Sequence, residues 1–201
     1  NVNEQDSLTY IAAEKLFMRG DNEGARRSMQ NYLRSYPNGA FSTNANFYLA
    51  SIAFNLKEYD DALAMFQNVI ESGDRKFLEE SWARKAEIEY LSNDFAKALE
   101  SFKRLNEVAE NPDNKEAASL GLMRCALKVG NQKEALAGAN LLLKNPKISP
   151  EVANEARYVR AKAYMEMGQE PKALADLKLI SKDTRTAQGA EAKYLLAQLY
   201  Y

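Results

Sequence analysis

The clearest structural pattern in the chain lies in residues 43–72, TNANFYLASIAFNLKEYDDALAMFQNVIES. Both halves carry apolar residues at spacings of three and four, which is typical of amphipathic helices: Phe47, Ala50, Ala53 and Phe54, then Ala62, Met65, Phe66, Val69 and Ile70. Residues 56–60, between the halves, have room only for a tight turn, so the two helices must run antiparallel. The stretch therefore predicts a helical hairpin of helix A, turn and helix B.

The same pattern returns along the whole chain. Equivalent helix B positions, separated by 37, 36, 37 and 38 residues, hold five alanines: Ala25, Ala62, Ala98, Ala135 and Ala173. Such a period marks stacked units, none of which can bury its apolar face alone. The sequence therefore predicts an all-α fold that forms one domain over residues 1–201. The domain contains about five and a half helix-turn-helix repeats, at about 6–39, 43–76, 79–113, 116–148 and 154–187, with a half repeat at 190–201.

Turn residues support this division. Gly20, Gly130 and Gly168 fall between helices A and B, where a residue that tolerates positive φ ends the first helix. Asn93 takes the same place in the third repeat. Ser149-Pro150-Glu151 combines an N-cap side chain, a first-turn proline and an early acid, so a helix should begin there.

The composition argues against several classes of function. The 27 basic and 28 acidic residues give a net charge of −1, so no charge excess favours nucleic acid. No apolar run approaches the roughly 18 residues of a membrane span. The chain has no histidine, one cysteine (Cys125) and no glycine-rich phosphate loop. We expect no enzyme activity, no cofactor, no metal, no nucleic acid and no direct membrane insertion.

The repeats resemble those of the tetratricopeptide repeat family, whose signature alternates small and aromatic residues before a final proline. The second repeat shows it as Leu49-Ala50, Tyr59, Ala62, Phe66 and Val69-Ile70. The period of about 37 exceeds the family's usual 34, which longer B-to-A connections explain. The resemblance implies a right-handed α-α superhelix, or solenoid, that acts as a non-catalytic protein–protein interaction scaffold.

One junction is similar to bacterial cell-envelope members of the family, including Tol-Pal-associated and outer-membrane-assembly proteins. In those members "YP", a short polar stretch and "A-x-F/Y-x-L-A" recur; here residues 36–40, YPNGA, lead to residues 45–50, ANFYLA. The similarity implies a periplasmic or envelope-associated protein. A cytoplasmic location is the alternative, because the lack of disulfides is compatible with either compartment.

The resemblance also implies that helix A residues line a concave groove. We define three rows. The first apolar row is Tyr10, Phe47, Ala83, Leu120, Tyr158 and Tyr194. The second, seven residues on, is Phe17, Phe54, Tyr90, Leu127, Met165 and Tyr201. The polar row between them is Glu14, Ser51, Glu87, Arg124, Lys162 and Gln198, acidic at first and basic later.

Such a groove suits a peptide or helix of mixed charge, with aromatic side chains supplying rigid contact area. Candidate groove residues are Tyr10, Glu14, Phe47, Ser51, Phe54, Arg84, Glu87, Tyr90, Arg124, Tyr158, Lys162, Tyr194 and Gln198. We favour Tyr10, Tyr158 and Tyr194, because tyrosine prefers half-exposed sites. The alternative is that many of these aromatic side chains pack against adjacent A helices.

The family's carboxylate clamp, which holds the C-terminal tails of chaperones, is only partly matched. Arg84 fits one clamp position, but Tyr10, Glu14 and Glu80 stand where lysine or asparagine is needed. We therefore do not expect this chain to bind chaperone tails.

Two other functions remain open from the sequence: a structural spacer or self-assembly element of a larger repeat protein, and an accessory segment of a multidomain enzyme. Tyr201 falls in the middle of a repeat, so we expect the natural chain to continue beyond it. Truncation there would expose an apolar face on the last helix and favour a homodimer through that end: Leu195, Leu196, Leu199 and Tyr200.

Overall fold

The structure is a computed structural model that describes residues 2–183 and 185–200, with Val2 described by its backbone only. The described residues form eleven α-helices and no strand, which confirms the predicted all-α fold class. In chain order the helices are α1 Val2–Met18, α2 Asn22–Ser35, α3 Ser42–Asn55, α4 Tyr59–Glu71, α5 Arg75–Leu91, α6 Phe95–Val108, α7 Pro112–Val129, α8 Gln132–Leu143, α9 Pro150–Glu166, α10 Glu170–Ile180 and α11 Ala187–Tyr200.

The helices alternate between the A and B types that the repeat pattern predicts. Helices α1, α3, α5, α7, α9 and α11 are A helices, and the intervening five are B helices. By their backbone contacts, Asn1–Ser92 and Asn93–Tyr201 form two compact units, here called the N-terminal and C-terminal units and described separately. The single domain over residues 1–201 stays a prediction.

Every A-to-B turn contains one residue with a positive φ. Four of them are the predicted ones: Gly20 at 82°, Asn93 at 59°, Gly130 at 76° and Gly168 at 73°. The fifth, Lys57 at 61°, carries no sequence signal, because lysine seldom adopts this region. Lys57 shows that the packing of the two helices imposes this turn geometry even without glycine.

Several A helices begin earlier than the predicted repeats. Helix α7 begins at Pro112 rather than near residue 116, because the Asn111 side chain caps it by accepting a hydrogen bond from Asp113 N at 2.8 Å. Asp74 caps α5 in the same way, through Lys76 N at 3.0 Å. The start predicted at Ser149 is confirmed, since its hydroxyl accepts from Val152 N at 3.3 Å.

Small side chains let the two helices of each hairpin approach closely. All five repeated alanines of the B helices are fully buried, and so are four of their A-helix counterparts: Ala13, Ala50, Ala86 and Ala161. Gly138 takes a related position in α8, where an added Cβ would lie 2.6 Å from the backbone nitrogen of Met123 in α7. The lone cysteine, Cys125, is fully buried.

The A helices are the more closely spaced layer within each unit. Helix α3 contacts both α1 and α5 in the N-terminal unit, and α9 contacts both α7 and α11 in the C-terminal unit. Within either unit, successive B helices have no such backbone contact among the described residues. Side chains at equivalent A-helix positions therefore lie beside one another from repeat to repeat, within each unit.

Candidate functional site

Tyr10, the first member of the first apolar row, lies in the core of the N-terminal unit. Tyr10 is 2% exposed, with its ring stacked on Phe41 at 4.5 Å between centroids and edge-on to Tyr32 at 5.8 Å. Its hydroxyl donates to Glu14 Oε2 at 2.6 Å and accepts from Asn44 Nδ2 at 3.4 Å. Burial and the bond to Glu14 raise the pKa of Tyr10. The structure thus corrects the expectation of a half-exposed Tyr10.

A buried carboxylate fixes the loop that covers Tyr10. The Tyr32 hydroxyl donates to Asp6 and accepts from Phe41 N at 3.0 Å, and Asp6 also accepts from Ala40 N at 3.1 Å. Burial and the bond to Asp6 raise the pKa of Tyr32 to about 12. Gly39 is needed here, because a Cβ would lie 2.5 Å from the Tyr32 hydroxyl oxygen. This network places Phe41 over the Tyr10 ring.

Phe47, the next member of the first apolar row, also packs against its neighbours. Its ring stacks on that of Phe77 at 4.7 Å and meets Phe66 edge-on at 6.0 Å. Ser51 in the polar row donates its hydroxyl to the Phe47 carbonyl at 3.0 Å. These side chains support the α3–α5 packing, as the alternative interpretation expected.

One cluster of predicted residues does come together at the surface of the N-terminal unit. The Arg84 guanidinium carbon lies 5.0 Å from the centroid of the Phe54 ring, within cation–π range. Arg84 Nη1 is 2.9 Å from Glu87 Oε2, and Nη2 is 3.9 Å from Glu80 Oε2. Arg84 is 42% exposed by its side chain. We call Phe54, Arg84 and Glu87 the Phe54 cluster; Tyr90, also predicted, is half-buried on α5.

In the C-terminal unit, ion pairs join the polar row to the next A helix. Arg124 of α7 makes a two-pronged contact with Glu155 of α9, with nitrogen–oxygen distances of 2.8 and 2.9 Å. Lys162 of α9 lies 3.8 Å from Glu191 Oε1 of α11. We call these two pairs the salt-bridge ladder. Its four side chains remain between 26% and 47% exposed.

Neither glutamate of the ladder is among the predicted groove residues. Each stands three residues before a first-row tyrosine, Tyr158 or Tyr194, and so lies one turn earlier on the same helix face. Asn44, three residues before Phe47, holds the same position in the N-terminal unit and bonds to Tyr10. This spacing is the signal that would have revealed the pairing.

The tyrosines of the C-terminal unit are more accessible than Tyr10. Tyr158 is half-buried beneath Lys162, whose amine lies 5.6 Å from the ring centroid. Burial and a hydrogen bond to Glu191 raise the pKa of Tyr158. Tyr194 is 62% exposed, and its hydroxyl accepts from Gln198 Nε2 at 2.9 Å. Tyr201, of the second apolar row, lies outside the described residues.

Among the described residues, no three histidine, cysteine or acidic side chains come together as a metal site requires. No helix in residues 2–183 and 185–200 is both long and apolar enough to cross a membrane. The A helices that carry the ladder also present the rings of Tyr158 and Tyr194 and the side chain of Leu127, which is 43% exposed at its second-row position.

Comparison with known proteins supports this fold. Residues 44–72 match the family model described as tetratricopeptide repeat. That span covers all but the first two residues of α3 and the whole of α4. Comparison with curated proteins gives no significant match.

Several solved structures have the same fold at low sequence identity. One is MamA (41-end) from Desulfovibrio magneticus RS-1, 13% identical over 90% of this chain and 96% of that one, with a TM-score of 0.62. A tetratricopeptide repeat protein from Parabacteroides merdae is 16% identical over 98% and 88%, with a TM-score of 0.62. Nearly identical TPR-like repeats of a putative kinesin light chain from "Podosopora anserina" are 13% identical over 95% and 96%, with a TM-score of 0.56. The chain therefore has a tetratricopeptide-repeat fold, and its second hairpin matches that family in sequence as well.

Proposed function

We propose that this protein is a non-catalytic protein–protein interaction scaffold that binds a protein or peptide on the faces of its A helices. The observation that carries the proposal is the environment of Tyr194. Its ring is 62% exposed on α11, on the helix that supplies Glu191 to the salt-bridge ladder. A rigid, exposed aromatic ring beside polar groups is a common anchor in protein interfaces.

The ladder favours a ligand that carries both signs of charge. Each of its two ion pairs presents a cation and a carboxylate from consecutive A helices. Exposed ion pairs of this kind contribute only about 0–1 kcal/mol to the free energy of unfolding. A ligand can therefore replace one side chain of an ion pair with its own charged group at a small cost in free energy. Leu127 and Tyr194 would supply the apolar contacts, and the Phe54 cluster would offer a similar combination in the N-terminal unit.

The packing of the A helices supports their exposed faces as the binding surface. Because consecutive A helices contact one another within each unit and consecutive B helices do not, the A faces bring side chains from three repeats side by side. An extended or helical ligand can then contact several repeats at once, as a peptide-binding groove requires.

Co-purification with crosslinking tests this function in the full-length protein. The Tyr194→Ala/Leu127→Ser double variant should lose a partner that the wild type captures, and its circular dichroism should be unchanged because both side chains are exposed. Leu179→Ser is the matched control, since Leu179 is 50% exposed on the B helix α10. An identical set of partners for all three proteins would overturn the proposal in favour of a structural spacer or self-assembly element.

Two further parts of the proposal concern assembly and location. A homodimer would form through the apolar face of α11, where Tyr200 is 59% exposed while Leu195, Leu196 and Leu199 also pack against the core of the unit. Sedimentation should then show a concentration-dependent mass that Tyr200→Ser abolishes. The location would be the periplasm or cell envelope, with the cytoplasm as the alternative. Fractionation of cells that produce the full-length protein decides between the two compartments.

A further inference from the structure

A cavity opens in the C-terminal unit, where the C-terminal ends of two B helices meet the start of an A helix. Its volume is about 490 Å³, within the range of peptide and small-ligand sites. Asn106 of α6 lies on one side, Lys115 and Glu116 of α7 on another, and Leu141 and Lys144 at the end of α8 on the third. No residue of the salt-bridge ladder lines this cavity.

The space lies beside the ends of two B helices. Helix α6 ends at Val108 and α8 at Leu143, whereas α9 begins only at Pro150. Pro112 starts α7 at the cavity wall, and Leu142, 1% exposed, belongs to the same wall. The lining is therefore partly apolar, and Leu141 is still 36% exposed.

The charged groups at this cavity are unpaired, unlike those of the ladder. Lys115, Glu116 and Lys144 form no ion pair with any residue that the structure describes. Asn106 likewise makes no side-chain hydrogen bond within residues 2–183 and 185–200. A ligand that enters here displaces water but no ion pair within the protein, whereas a ligand at the ladder must replace one side chain of a pair.

The balance of groups indicates the chemistry of the occupant. Two lysines and one glutamate line the cavity, so its charged lining carries a net positive charge in a chain whose net charge is −1. Pro112, Leu141 and Leu142 supply apolar lining beside them. We infer that this cavity is a second binding site, which takes a short extended segment of a partner protein with an apolar side chain flanked by acidic residues.

This site would act independently of the A-helix faces. A protein that binds the A faces of the C-terminal unit leaves the ends of α6 and α8 open, so one scaffold could hold two segments at once. Two weak contacts to the same partner raise the overall affinity when the connecting chain can span both sites.

Nuclear magnetic resonance of the full-length, ¹⁵N-labelled protein tests the site with a defined probe. The probe is the blocked hexapeptide Ac-GDLEGS-NH2, and the matched controls are Ac-GKLKGS-NH2, with reversed charge, and Ac-GDGEGS-NH2, without the apolar side chain. We expect the first peptide to shift the amide signals of residues 112–119 and 141–145, and the two controls to bind at least about tenfold more weakly.

Variants separate the cavity from general charge attraction. Lys115→Glu/Lys144→Glu should abolish the shifts, whereas Lys147→Glu should preserve them, because Lys147 is exposed in the same loop but does not line the cavity. Tyr194→Ala/Leu127→Ser should also preserve them, which distinguishes failure of this inference from failure of the proposed function. The spectra themselves report whether each variant is folded.

Three results would overturn the inference. One is the absence of shifts at these residues with the acidic peptide at millimolar concentration. Another is equal binding of the charge-reversed peptide. The third is the same set of shifts with inorganic phosphate alone, which would assign the cavity to a simple anion instead of a peptide.

Discussion

Tyr10 and Tyr194 occupy the same position in the first and the last repeat, yet one is 2% exposed and the other 62%. In the N-terminal unit, the loop before α3 folds over the A helix and its Phe41 stacks on the tyrosine ring. In the C-terminal unit the tyrosine ring faces solvent. The repeat fixes where a side chain stands on its helix, while residues of the following repeat, such as Phe41 for Tyr10, decide whether it is covered; α11 is the last helix that the structure describes, and within the described residues no later repeat lies over Tyr194.

The largest expected effect contrasts these two tyrosines directly. Tyr10→Ala removes a buried ring from an aromatic cluster and should lower the free energy of unfolding by about 3–5 kcal/mol. Tyr194→Ala should change it by less than about 0.5 kcal/mol, as for other exposed positions. Urea denaturation followed by circular dichroism measures both, and similar losses for the two variants would break the comparison.

Alkaline pH should weaken the network that holds the covering loop. The pKa of Tyr32 is about 12 in the folded protein and about 10 in an unfolded chain, so folding keeps its proton bound. Its stabilising contribution is complete below pH 10 and should fall by about 1.4 kcal/mol for each pH unit between about pH 10 and pH 12. Urea titrations across this range measure the slope.

Two variants isolate the contribution of Tyr32. Tyr32→Phe cannot lose a phenolic proton and should show a shallower slope than the wild type. Tyr194→Phe, changed at an exposed ring, should keep the wild-type slope. An unchanged slope in Tyr32→Phe would assign the alkaline effect to other groups.

In the C-terminal unit, helices α7 and α8 approach each other closely at Gly138. A substitution at Gly138 tests how much the unit depends on this approach. A methyl group there meets the backbone of Met123 rather than a flexible side chain, so α7 and α8 must separate. Gly138→Ala should cost about 1–3 kcal/mol despite the higher helix propensity of alanine. Ala137→Ser, at an exposed position one residue away, should change the free energy of unfolding by less than about 0.5 kcal/mol in the same assay.

The smallest expected effect concerns the salt-bridge ladder. A double-mutant cycle with Arg124→Gln and Glu155→Gln should give a coupling energy of about 0.2–1 kcal/mol, because both side chains are partly exposed. The coupling should decrease in about 1 M salt, where screening acts over roughly 3 Å. A coupling energy several times larger would mean that the ladder contributes substantially to the stability of the fold. A ligand could not then replace one side chain of a pair at a small cost in free energy.

The sequence predicted the hairpins because the features that specify them are local. Alanines at a fixed period and left-handed turn residues such as Gly20 and Gly130 act within one repeat, and the structure confirms both. The burial of Tyr10 depends on the path of the α2–α3 loop, and Arg124 meets Glu155 because α7 and α9 pack at a particular register. The path of that loop leaves no periodic trace in the sequence, and the ladder leaves only the three-residue spacing of its glutamates before the first-row tyrosines. The cavity beside Lys115 likewise depends on where two B helices end.

The buried thiol of Cys125 makes the two proposed surfaces easy to observe separately. A fully enclosed thiol in apolar surroundings reacts poorly with labelling reagents, so the natural cysteine need not be replaced. Tyr194→Cys and Lys144→Cys would then each introduce one reactive group, on the A-helix face and at the cavity respectively. A fluorophore on either one would report a ligand at that surface in an otherwise unmodified chain.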